Sequence, residues 1–201
     1  MKKVQNITAA ILLGSALVLP TSVSAFGGFS LPSVPGLGGG SSSSVDAGEL
    51  TARTESAISD FAKSLGLFQK ALKLDIDADK EKKLAECGSG SGCISSDTMD
   101  TITSVSEEVN RAMEEMKNNG EVMDEDAKAQ FAKGLLPYGK GTLIGITVLK
   151  DLPDALKSDP MALMSLIKVP SMLTNFMASS GTVYDYATSN GVEVPEGDGP
   201  R

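Results

Sequence analysis

The chain predicts an all-α fold: a small helical bundle built on a long antiparallel helical hairpin and preceded by a flexible Gly/Ser-rich segment. Two observations carry that expectation. Apolar residues recur at spacings of three and four over several long stretches, the period of a helix buried on one face. Those stretches open on Asp or Ser and close on Gly or Asn-Gly, the chemistry of helix caps. One short stretch, 141–149, is dense enough in β-branched residues for a strand, and it has no partner strand.

The first 25 residues read as a cleavable export signal. Lys2 and Lys3 form a positive start, Ile7 to Leu19 is a mostly apolar run, and Val23-Ser24-Ala25 supplies small residues for cleavage between Ala25 and Phe26. The run is shorter than the roughly 20 residues a spanning helix needs, so no stable membrane span is expected once the signal is removed. The expected location is a periplasm or the exterior. Residues 26–45 are dominated by Gly, Ser and Pro with isolated Phe26, Phe29, Leu31 and Leu37, and read as a flexible linker, or else as a sticky docking peptide.

The helical domain is expected to cover 46–191. Asp46 with Glu49 resembles a capping box, and Thr54, Ile58, Phe61, Leu65, Phe68 and Leu72 follow as a heptad-like seam. Arg53, Glu55, Asp60, Lys63 and Lys70 read as the solvated face, and Gly66 as a local bend or close contact. A further helix starts at Ser95 or Ser96 and ends near Asn118, before Gly120. Its stripe is Ile102, Val105, Val109, Ala112 and Met116, with Met99 and Met113 flanking. The two seams have matching periods and are expected to pair as the hairpin.

Asp124 opens a shorter helix to Leu136, which Pro137 and Gly139 are expected to interrupt. Residues 141–149 are then read as helix, with Gly141 and Gly145 on one face permitting close backbone approach. Asp159-Pro160 is a cap and first-turn pair for a helix through Lys168, expected to be largely buried because Met161, Leu163, Met164, Leu166 and Ile167 cover most of it. Pro170 admits a last helix to Ser189 with Leu173, Phe176, Met177, Tyr184 and Ala187 on its apolar face. Asn190-Gly191 stops it, and 192–201 is expected to be a disordered tail.

Composition narrows the function more than any motif does. The 201 residues contain no histidine, which removes Ser–His and Cys–His nucleophile pairs and His-ligated zinc. No catalytic arrangement is visible, and a non-enzymatic role is expected. Removing residues 1–25 takes away two lysines and no acid, moving the net charge from −8 to −10. Such a chain is a poor ligand for nucleic acid.

Two local patterns could carry chemistry. Cys87 and Cys93 flank a Gly/Ser loop, and in an oxidising compartment they are expected to form a disulfide. Asp75, Asp77, Asp79 and Glu86 fall at positions 1, 3, 5 and 12 of an EF-hand-like loop, so they resemble a weak calcium site. Against it, Lys80 occupies the position that needs a glycine turn, and Asp77 or Asp79 fits equally well as the cap of a short helix that ends near Glu86. No other cofactor is implied. The expected function is an exported helical interaction or scaffold protein with an unknown protein partner. The alternative is a carrier whose methionines line a site for an apolar small molecule.

Overall fold

The computed structural model describes residues 46–194, and every regular element among them is helical. Helix α1 spans Ala47–Ala71, α2 Ala78–Gly88, α3 Ser96–Asn119, α4 Glu125–Ser158 and α5 Val169–Ser189, with a single 3-10 turn at Met164–Leu166. The leader, its cleavage point at Ala25 and Phe26, and the linker lie outside the described residues.

The caps follow the sequence closely. Asp46, Ser95 and Asp124 each accept the backbone N–H three residues on, closing the open amides of α1, α3 and α4. Helices α1, α3 and α5 end alike: the N–H groups of Leu74, Glu121 and Val192 reach back to the carbonyls of Gln69, Met116 and Ala187. That ending needs a left-handed residue, supplied by Gly120 (φ 70°) and Gly191 (φ 71°), but by Lys73 (φ 54°) after α1. Lys73 takes this strained conformation with its ammonium 2.8 Å from Asp124, the cap of α4.

All six residues of the α1 seam are buried. The helix they pack against differs from expectation. The long antiparallel pair is formed by α1 and α4, not by α1 and α3, as the contacts Arg53–Asp151, Phe61–Tyr138 and Phe68–Phe131 trace. α1 is central, touching α2 and α3 as well, and Ser59 is close enough to α2 to donate to the Gly88 carbonyl. α5 runs antiparallel to α4 and parallel to α3: Tyr138 and Phe131 of α4 meet Tyr184 and Tyr186, and α3 residues Asp100 and Asn110 meet Lys168 and Ser179.

Central placement also moves Asp60 off the solvated face. It is only 5 % exposed, held between Lys63 (3.7 Å) and Lys140 of α4 (3.3 Å). Gly66, by contrast, has no neighbour where a side chain would go, so it marks no close contact.

Helix α4 runs unbroken for 34 residues through Pro137 and Pro153, where an interruption at Pro137 and Gly139 was expected. A mid-helix proline loses one hydrogen bond and crowds the preceding turn, a cost of about 3 kcal/mol. Burial of Phe131, Leu135, Tyr138, Val148 and Leu152 along the same helix opposes that cost. Residues 141–149 are helical, as expected. A side chain at Gly141 would meet the Ala57 carbonyl oxygen at 3.1 Å, and one at Gly145 would meet Leu173 at 3.3 Å. The tightest approach is at Gly134, where an added carbon would sit 2.5 Å from the Phe68 ring. Beyond α5, Val192 is buried and Val194 packs against the core, so the fold extends past the point where the tail was expected to begin.

Candidate functional site

The cysteines are joined. Cys87, in the last turn of α2, is bonded to Cys93, just before α3. Both are buried, and the loop between them turns through Gly90 (φ 93°) and Gly92 (φ 68°), conformations that other residues adopt only with strain. The bridge thus fixes the α2–α3 connection. Its burial among core residues fits a staple better than an exchangeable dithiol, which needs exposure.

The carboxylates of the calcium-like pattern are not brought together. Asp77 caps α2 by accepting the Asp79 N–H at 2.8 Å, so the helix starts at Ala78, where a calcium loop would still be turning. Glu86 then lies two turns along α2, 3.9 Å from Lys82, while Asp75 stays in the preceding connector. No group of three or more acidic, Cys or His side chains among the described residues could hold a metal ion. A helix cap accounts for the spacing that resembled a ligand set.

The buried interior is organised by aromatic rings rather than by polar groups. Phe61 stacks on Phe176 at 4.1 Å, Phe68 on Phe131 at 4.3 Å, and Tyr138 sits against both Phe61 and Phe68. Burial pushes the Tyr138 hydroxyl well above its ordinary pKa, and burial also raises that of Tyr186, so neither is poised to exchange a proton near neutrality. Met99, Met113, Met123 and Met172 are part of this packed core.

The surface carries a feature that the sequence did not disclose. Between α4 and α5, Met161, Met164 and Ile167 are 78 %, 62 % and 71 % exposed, whereas Leu163, Leu166 and Val169 are fully buried. The expected buried helix over 160–168 is instead a series of turns around one 3-10 turn, opened by Asp159, which accepts the Ala162 N–H. At about three residues per turn, residues three apart lie above one another. Two interleaved apolar triplets therefore separate, one anchored inward and the other facing water. That interleaving is present in the sequence, but a helix-based reading assigns both triplets to one core. The chain matches no protein-family model, no curated protein and no solved structure.

Proposed function

We propose that the protein is an exported, non-enzymatic interaction protein that engages an apolar segment of a protein partner through Met161, Met164 and Ile167. The observation carrying this reading is the exposure of three large apolar side chains on a segment held in place by Leu163, Leu166 and Val169. Contiguous exposed apolar residues on a folded domain mark interaction sites. Methionine suits such a surface because its flexible thioether adapts to different partners. Export is supported by the leader-like first 25 residues and by the disulfide, which persists in oxidising compartments.

A photoreactive residue placed at 164 in cells producing the protein should yield one discrete crosslinked species of fixed stoichiometry. The triple change Met161→Ser, Met164→Ser and Ile167→Ser should abolish it while leaving helicity and melting temperature intact. Crosslinking that survives the triple change, or none at all, would remove the basis of the proposal. Protein recovered from the envelope or medium should begin at Phe26, and full-length protein confined to the cytoplasm would refute export.

A further inference from the structure

The exposed apolar patch and the start of the helical domain share one end of the bundle. Arg53 Nη1 meets Asp151 Oδ2 at 2.9 Å across the antiparallel α1–α4 pair. Asp46 precedes Arg53 by seven residues and Ser158 follows Asp151 by seven, in each case two turns or about 10.5 Å along the axis. The cap of α1 is therefore level with the last residue of α4, and the axes of packed helices lie about 8–10 Å apart. Met161 comes three residues after Ser158, at most about 11 Å of chain, so it stands within about 20 Å of Asp46. The segment then stays at this end, because Leu163, Leu166 and Val169 are buried and Lys168 pairs with Asp100 at 2.8 Å.

The chain ahead of Asp46 has the chemistry and the length to meet that patch. Residues 26–45 contain no charged side chain, so laying them on an apolar surface takes no charge out of water. Phe26, Phe29, Leu31 and Leu37 all come before 38–44, where every residue is Gly or Ser. Leu37 is nine residues from Asp46, and a Gly/Ser-rich chain of nine residues spans about 15–18 Å on average, close to the separation of Asp46 and Met161. Reach also decides against the groove at the opposite end, which Leu72, Leu74, Met116 and Val122 line. It lies a full α1 away, 25 residues or about 37 Å, and nine residues extend to at most about 32 Å.

We propose that residues 26–37 fold back onto Met161, Met164 and Ile167 and cover them until a protein partner displaces the segment. Only the displacement step rests on the partner reading above; the self-contact is independent of it. A contact too weak to persist between separate molecules persists here, because a short flexible tether holds the effective concentration in the millimolar range. An intrinsic Kd of about 0.3 mM then leaves the patch covered in most molecules and raises the apparent Kd of an outside partner about fivefold.

A photoreactive residue at 164 in the purified protein, dilute and with no partner present, should crosslink within the chain to residues 26–37. Mass spectrometry locates the crosslink, and its yield should not depend on protein concentration. Changing Phe26→Ser, Phe29→Ser, Leu31→Ser and Leu37→Ser together should abolish it. With Met161 and Met164 in place, the same four changes should speed peroxide oxidation of both methionines at least threefold. All four positions precede α1, so helix content should stay the same, as circular dichroism would verify. The proposal is overturned by crosslinks that form only between copies, map elsewhere in the chain, survive the four changes or fail to appear, and by equal oxidation rates in the two proteins. In cells, the four changes should raise the yield of the partner-crosslinked species at least twofold. An internal crosslink with no partner species would remove the partner reading and leave the self-contact standing, and a partner species with no internal crosslink would do the reverse.

Discussion

The Tyr138 hydroxyl donates a 2.7 Å hydrogen bond to the backbone carbonyl oxygen of Phe176, tying α4 to α5 inside the aromatic core. Tyr138→Phe keeps the ring contacts and removes only that bond. The expected loss is about 1 kcal/mol, with a fall in melting temperature of about 2–4 °C. Urea and thermal midpoints equal to those of the parent would show that the bond contributes nothing net.

Alkaline titration tests the same residue independently. Because burial raises the folded-state pKa of Tyr138 above its ordinary 10.0, the folded protein holds that proton more tightly than the unfolded chain. The resulting stability is fully present below pH 10 and drains away as pH rises further. Ultraviolet titration should show tyrosine that ionises only as the helical signal collapses, and Tyr138→Phe should reduce that fraction by one residue. A Tyr138 that titrates near pH 10 with the fold intact would contradict its burial.

Glycine positions should respond in opposite directions. Gly134→Ala pushes a carbon to 2.5 Å from the Phe68 ring and should destabilise by about 1–3 kcal/mol. Gly66→Ala meets nothing within 4 Å inside α1 and should stabilise by up to about 1 kcal/mol. Chemical denaturation of the pair decides it. Equal effects at both sites would mean that the close α1–α4 approach is wrong.

The disulfide closes a short ring between Cys87 and Cys93. Chain entropy alone assigns it about 2.4 kcal/mol. Cys87→Ser with Cys93→Ser should lower the denaturation midpoint accordingly without changing helix content. Native exported protein should weigh two hydrogens less than its reduced form, and detection of two free thiols would exclude the bridge.

Acid should loosen the junction between α1 and α4. The Lys73 ammonium first, and then the Ala127 N–H, hold the Asp124 carboxyl below its usual 3.8. A depressed carboxylate contributes stability that is present above the unfolded value and lost as pH falls below it. Asp124→Ala should therefore flatten the stability profile below about pH 4, where the parent declines. A parallel decline in both proteins would show that other groups drive acid unfolding.

Local patterns were legible and partner choice was not. The spacing from Thr54 to Leu72 identifies the buried face of α1, and Asp46, Ser95, Asp124, Gly120 and Gly191 mark helix ends, because caps and periodicity act within a few residues. A seam of threes and fours does not say which other seam it meets. Matching periods suggested α3, whereas the glycines at 134 and 141 let α4 come closer. Asp60 looked solvated for the same reason, since its partner Lys140 comes from a helix eighty residues away. The exposed triplet at 161–167 was hidden because apolar residues in sequence say only that burial is favourable, and within the calcium-like spacing Asp77 is taken up as the cap of α2.

The pairing of α1 with α4 also sets an order of events. Arg53 cannot reach Asp151 until nearly a hundred further residues have been delivered. A chain released N-terminus first, from a ribosome or through a membrane pore, must carry its central helix without that partner for most of its delivery. Contacts so far apart in sequence slow folding. Completion of the core is therefore timed by the end of delivery rather than by its start.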